Sequence, residues 1–249
     1  MQTQLSQLSQ KKAHLDQHRP LPPALVKNLD DWFRVELTYT SNAIEGNTLT
    51  RNETALVIEK GLTVGGKTLN EHLEAVNHAA AIAFIQTLAH ASHTQLTLRD
   101  VLEIHRIVLQ RIDDANAGKL RNIAVRIAGS STVLPNSRKV PQLMDEFMAW
   151  LQSNDAHPAQ RAADAHLRLV TIHSFSDGNG RTARLLMNLL LLQAGYPPAI
   201  IRNEERLAYI NAIEQANTAN EPNAFYDIVF EAIDRSLDVY LNALNPNDD

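Results

Sequence analysis

The chain of 249 residues contains no cysteine. That absence removes disulfides, thiolate zinc sites and a cysteine nucleophile at once, and it fits a reducing compartment. No apolar run is long enough to cross a bilayer: the longest, around 185–194, is short and is broken by Asn188 and Gln193. The start, Met1-Gln2-Thr3-Gln4-Leu5, lacks a basic region followed by an apolar core, so no secretory signal is read. There is no basic excess either. A net charge of −5 argues against a general nucleic-acid binder. Internal repeats and a Pro/Gly/Ser linker able to divide two domains are also missing. What remains is ordinary for a globular protein, 44% hydrophobic and 20% charged residues, and the expectation is a soluble cytoplasmic protein with neither nucleic acid nor membrane as partner.

One stretch stands out: His173-Ser174-Phe175-Ser176-Asp177-Gly178-Asn179-Gly180-Arg181-Thr182-Ala183-Arg184, running into Leu185-Leu186-Met187-Asn188-Leu189-Leu190-Leu191-Leu192. The Leu and Met residues are strong helix formers, and Gly195-Tyr196-Pro197-Pro198 is a sharp stop. The polar stretch is therefore a loop feeding the N-terminus of a buried helix, where free N–H groups and the dipole attract anions. Gly178 and Gly180 let backbone N–H groups approach a phosphate, and Asn179 can add an amide donor between them. Arg181 and Arg184 lie on one helix face and oppose the dipole, which makes sense with an anion between them and the helix end. Asp177 is a hard oxygen ligand suited to Mg²⁺ on a nucleotide, and His173 can serve as general base. Taken singly, Gly-Asn-Gly is a turn and a histidine is structural. Together they describe attack by a hydroxyl on a phosphate.

The rest of the chain reads almost wholly as helix. Residues 1–20 suggest a short surface helix or frayed arm, from the loose spacing of Leu5, Leu8 and Leu15. Pro22-Pro23 opens a helix with Leu25, Leu29, Trp32, Phe33 and Leu37 on one face, ending at Gly46. Glu45 then sits in its last turn, where the dipole disfavours a carboxylate: either it is a solvated glutamate on a surface helix, which this pattern alone favours, or its charge has a partner elsewhere. Helices follow over Arg51–Glu59, Asn70–His90 and Leu98–Leu109, with Thr97 as a cap. The second of these should turn Leu73, Val76, Ala80, Ala83, Phe84 and Leu88 inward. His72 and His78 are too badly spaced to bind a metal together, and His105 and His166 read as packing residues. Between 118 and 140 the pattern changes. Asn122–Ile127 alternates like a strand, Gly129-Ser130-Ser131 suits a turn, and Thr132–Pro135 could return as a second strand. Helices over Pro141–Gln152, Pro158–Ile172, Arg202–Asn217 and Asn223–Leu244 complete the chain, and the tail Asn245–Asp249 should fray.

The loop matches His-x-Phe-x-[Asp/Glu]-Gly-Asn-Gly-Arg-x-x-Arg at every defined position, and so resembles the Fic family. Upstream, Ser41-Asn42-Ala43-Ile44-Glu45-Gly46-Asn47 is similar to that family's inhibitory motif [Ser/Thr]-x-x-x-Glu-[Gly/Asn]. The resemblance is best over 38–217 and implies a mainly α fold, a helical bundle with a short β-hairpin flap over the active site. It implies an N-terminal segment 1–65 carrying the inhibitory helix at about 24–46, a core domain at 66–220, and a C-terminal helix and tail at 221–249. The chain has room neither for tetratricopeptide repeats before the core nor for a winged helix after it, so a near-minimal member is expected. The implied reaction is AMP transfer from ATP to a Ser, Thr or Tyr hydroxyl of a protein, or of the enzyme itself. His173 is then the base and Asp177 the Mg²⁺ ligand, with Mn²⁺ possible in its place. Gly178, Asn179, Gly180, Arg181, Thr182 and Arg184 hold the nucleotide, Ser130 and Ser131 in the flap assist, and Tyr209 and Asn217 border the adenine. Ser41, Glu45 and Gly46 are regulatory: Glu45 pairs with Arg184 and so displaces the γ-phosphate, because one guanidinium cannot serve a carboxylate and a phosphate with the same donors. The protein substrate is expected along the flap by backbone pairing, and a homodimer is possible. Three alternatives stay open: hydrolytic removal of AMP with Glu45 orienting water, transfer of a different group, and a nucleotide-binding regulatory module without catalysis.

Overall fold

Threonine caps and proline starts set many of the helix boundaries. A computed structural model describes residues 1–91 and 95–244, and ten α-helices lie among them. They are α1 (Gln2–Asp16), α2 (Pro23–Ile44), α3 (Arg51–Lys60), α4 (Leu69–His90), α5 (Leu98–Leu109), α6 (Val140–Ser153), α7 (Pro158–Ile172), α8 (Asn179–Gln193), α9 (Arg206–Thr218) and α10 (Asn223–Leu244). Thr50, Thr68 and Thr97 each accept the N–H of the residue three places on, while Glu53, Glu71 and Asp100 reach back to the threonine N–H. Each such box satisfies two otherwise orphaned donors. Prolines at the first turns of α2, α6 and α7 lose no helical hydrogen bond there.

Helix α8 is the axis of the molecule. Arg181 to Leu191 are all buried, as an all-round apolar helix requires, and α7, α4, α5 and α2 pack around it. Each leucine so enclosed contributes roughly 1.5–3 kcal/mol. Helix α10 lies on α7 and α9, with Phe225, Val229, Phe230, Ile233 and Leu237 turned inward.

Of the two readings of residues 1–20 the surface helix holds: α1 lies along α10, burying Leu5, Leu8 and Leu15, while Lys11 bridges Asp234 at 2.8 Å and Asp238 at 2.7 Å. Two expectations are corrected. In α4 the inner face is Ala75, Asn77, His78, Ala79, Ala81, Ile82 and Ile85, and Val76 is 47% exposed. Small residues allow α4 close to its neighbours, and the buried polar Asn77 bonds the Val108 and Gln110 carbonyls, so an apolar stripe points to the wrong face. The hairpin over 118–140 is absent: no strand occurs among the described residues, and 119–136 is an irregular loop. Leu120 at its start packs on the core, but Ile123 is 58% and Val133 93% exposed, with nothing to bury them. The tail at 245–249, expected to fray, lies outside the described residues.

Candidate active site

The loop between α7 and α8 is held open by its own side chains. His173 closes α7 in the left-handed conformation, φ 50 and ψ 58, and Gly178 starts α8 at φ 73. A Cβ at Gly178 would add strain and would touch His105. Asn179 pins the loop from below, with its Oδ1 accepting from Phe175 N–H at 3.0 Å and its Nδ2 donating to the Phe175 carbonyl at 2.9 Å. Its amide is thus committed to the loop, not to a ligand, although its backbone N–H still belongs to the first turn. Phe175 is fully buried and stacks on the His105 ring at 3.7 Å. The His105 Nδ1 accepts from Gly118 N–H at 3.0 Å, which leaves the Nε2 proton to donate to the Asp177 carbonyl at 3.0 Å. Burial pushes His105 down to about 4, so the ring stays neutral in that role.

This scaffold leaves the first N–H groups of α8, around Gly178–Arg181, without helical partners, as at every helix start. Two buried arginines flank them. Arg181 donates to Glu74 at 2.9 Å and contacts Asp177 at 3.3 Å. Glu74 also accepts from Asn47 Nδ2 at 2.8 Å. Thr182 is fully buried. Arg184, 4% exposed, meets the C-terminal turn of α2: Nε donates to Ser41 Oγ at 2.9 Å, and Nη2 donates to the Ser41 carbonyl at 3.0 Å and to Glu45 Oε1 at 2.6 Å. Burial pushes the Glu45 carboxyl up, but the charge and hydrogen bond of Arg184, aided by Arg181 and Arg206, outweigh it and hold the acid below its usual range. The same oxygen lies over Gly180, where an added Cβ would collide with it. Gly46 follows at φ 102, letting the chain leave α2 at once.

His173 is half-buried beside this group. Burial lowers its pKa, a ring bond to the Val170 carbonyl raises it, the Arg121 charge lowers it, and Glu45 and Asp177 raise it; the balance lies below the usual imidazole range. Asp177 contacts Arg181 at 3.3 Å, and its side chain, 65% exposed, still presents carboxylate oxygen to solvent. No group of three or more His, Cys, Asp or Glu able to hold a metal occurs among the described residues. One exposed carboxylate is compatible with Mg²⁺ that takes its other ligands from phosphate and water.

The remaining expected residues are placed less uniformly. Tyr209 is buried, 2% exposed, with its hydroxyl 2.7 Å from His166 Nε2 and accepting from Arg184 Nη1 at 3.4 Å. It braces Arg184 from behind and does not line an open face. Asn217 bonds Thr171 Oγ1 at 2.6 Å, at the rim of a cavity of about 490 Å³. Ser130 and Ser131, with Thr132, donate to the Glu214 carboxylate, which those bonds lower to about 2. Sequence reading passed over Arg206, whose Nε donates to the Ile44 carbonyl at 2.7 Å and supplies the cation missing from the end of α2. It also passed over Glu74 and Glu214. A charged residue on a helix carries no signal of a partner distant in sequence.

Comparison with known proteins decides the family. A Fic/DOC family model matches residues 95–191. The chain belongs to that family. It is 38% identical over 243 residues to a protein adenylyltransferase Fic from Aedes aegypti, covering 96% of this chain and 48% of the relative. Among solved structures it is similar to Fic-1 from C. elegans, with TM-score 0.90, 29% identity and coverage of 99% of this chain and 73% of that one. It is also similar to a Fic domain containing signaling protein from Bacteroides thetaiotaomicron, with TM-score 0.87, 29% identity and coverage of 98% and 97%. The chain spans about half the length of the curated relatives it matches. No helix among the described residues is long and apolar enough to cross a membrane.

Proposed function

We propose that this chain transfers AMP from ATP to a protein hydroxyl and is held back by Glu45. The observation that carries the reading is the fate of Arg184. A buried arginine at an anion-binding helix start, beside a half-buried histidine, is occupied by a carboxylate from another helix of the same chain. The relatives' name, protein adenylyltransferase, supports the reaction class.

In the mechanism, the neutral ring of His173 takes the proton from a serine, threonine or tyrosine hydroxyl. The hydroxyl oxygen bonds to the α-phosphorus as the bond from that phosphorus to the bridging oxygen breaks, and pyrophosphate leaves. The Gly178–Gly180 backbone donates to charge developing on the α-phosphate, and Arg181 and Arg184 receive the β- and γ-phosphates. When bound, Mg²⁺ neutralises phosphate charge, and Asp177 is the residue that would hold it. The loop at 119–136 receives the target segment. The loop has no strand partner of its own, and its exposed Ile123 and Val133 are what a partner strand would cover, so strand pairing belongs to the complex. Hydrolytic removal of AMP is the second reading. Glu45 favours it, because its carboxylate lies beside Gly180 and its charge is felt by His173, where it could orient a water.

The test is label transfer from α-³²P-ATP with Mg²⁺, comparing the wild type with Glu45→Gly. Strong self-labelling by the variant and weak labelling by the wild type is the expected result. No labelling by either, with ATP binding intact, would overturn AMP transfer. Release of AMP from a pre-modified protein would then establish the hydrolytic reading.

A further inference from the structure

Arg121 is 5% exposed, and no carboxylate pairs with it among the described residues. Its fork goes instead to three backbone carbonyls. Nε donates to His173 O at 2.7 Å, Nη1 to Ile123 O at 2.9 Å and Nη2 to Pro135 O at 2.7 Å. Its backbone N–H donates to Ser174 O at 2.9 Å. Burying a guanidinium with only dipoles for company is a costly way to fill space that an apolar side chain could fill. What the residue supplies is geometry, because a planar group with donors in fixed directions sets the relative positions of everything it binds.

Those three carbonyls are not arbitrary. Ile123 and Pro135 lie near the two ends of the loop 119–136, which has no strand pairing of its own. His173 holds a left-handed backbone that a non-glycine residue keeps only where its surroundings impose it. Among the described residues, the only other bond to its main chain is His173 N–H to Leu169 O at 3.0 Å, from α7. Among them, Arg121 is the one residue of the loop that hydrogen-bonds the His173 backbone.

We propose that Arg121 is the positioning residue that fixes the target-docking loop and the His173 ring in one frame, so that a hydroxyl presented along the loop arrives at the base. This rests on the AMP-transfer reading. A brace that merely stabilised the fold would lower the amount of folded enzyme. A positioning residue changes the rate per folded molecule. It also changes the titration of His173, because its charge faces that ring together with Glu45 and Asp177. In a Glu45→Gly background only Arg121 and Asp177 of these remain.

The experiment uses Glu45→Gly as parent and adds Arg121→Met or Arg121→Lys. Single-turnover self-labelling from α-³²P-ATP is followed across pH, and the His173 ring is titrated by NMR. For Arg121→Met we expect a rate per folded molecule lowered about 10–100-fold, a KM for ATP within about twofold of the parent, and the His173 titration and acidic limb both moved to higher pH. Arg121→Lys keeps the charge as a point but not the fork, so it should restore the titration while leaving the rate low. A parental rate in either variant overturns the proposal, as does a loss that follows the folded fraction with the titration unmoved. Should Arg121→Met fail to fold, Arg121→Lys decides alone by its rate. A parent that labels nothing counts against AMP transfer instead. The His173 titration, with hydrogen exchange over residues 123–135, then still judges Arg121: loosened exchange and a moved titration support it, and no change in either overturns it.

Discussion

Replacing Glu45 by Gln keeps the shape of the side chain and removes the charge that holds Arg184. The Glu45–Arg184 contact is 2.6 Å long and the Arg184 side chain is buried, but the Glu45 side chain is 37% exposed and therefore partly screened. A fully buried pair broken on one side costs about 3–5 kcal/mol. Screening, and the two bonds that Arg184 keeps to Ser41, bring this down to the range of a single charged hydrogen bond, about 1.5–3 kcal/mol. The phosphate competing for Arg184 should gain the same amount, which corresponds to roughly 10–100-fold in the affinity for productively bound ATP. Calorimetric titration with ATP and self-labelling from α-³²P-ATP measure it. The pH dependence has a definite sign. The Glu45 acid is depressed when folded, so the contact is fully present above the ordinary carboxylate range and is lost as pH falls through the lowered value. The ratio of variant to wild type should then be flat from about pH 6 to 8 and should shrink only in acid. A ratio near one at neutral pH, with the variant folded, would refute the assignment of Glu45 as the group that keeps phosphate from Arg184.

Other predictions test the scaffold. Asn179→Ala removes both loop-closing bonds to Phe175 and should cost about 1–3 kcal/mol, read as a fall in the denaturation midpoint. Tyr209→Phe should lower stability by a similar amount, since it strips a buried hydroxyl from His166 and Arg184, yet leave adenosine binding unchanged; a lost affinity for adenosine would place Tyr209 at the base after all. Leu8→Ala, at a site 2% exposed between α1 and α10, should cost about 2–5 kcal/mol in urea unfolding, whereas a loss under about 0.5 kcal/mol would mean that α1 adds little to the core.

How much of this was legible in the chain depends on how local each signal is. The α7–α8 loop was readable because its chemistry is contiguous: histidine, carboxylate, glycines and arginines follow one another, and the leucine run after them announces a buried helix. The link from Glu45 to Arg184 was readable only through resemblance, since nothing in 139 residues of separation specifies a contact. What composition did signal was the anomaly, an acid at the negative end of a helix, and Arg206 with Arg184 answers it. The loop at 119–136 misled for a physical reason. Alternation of apolar and polar residues is a pattern for half-burial, and it forms a sheet only when a second strand and something to bury against are both present. Here neither is supplied by the chain, because Arg121 and Glu214 take up the hydrogen-bonding groups at the base and tip. Under the proposed function the pattern is completed in the complex and not in the free protein. The alternating residues and the clamp at Arg121 are then two halves of one proposed device: one offers an edge to a target segment, and the other ties that edge to His173.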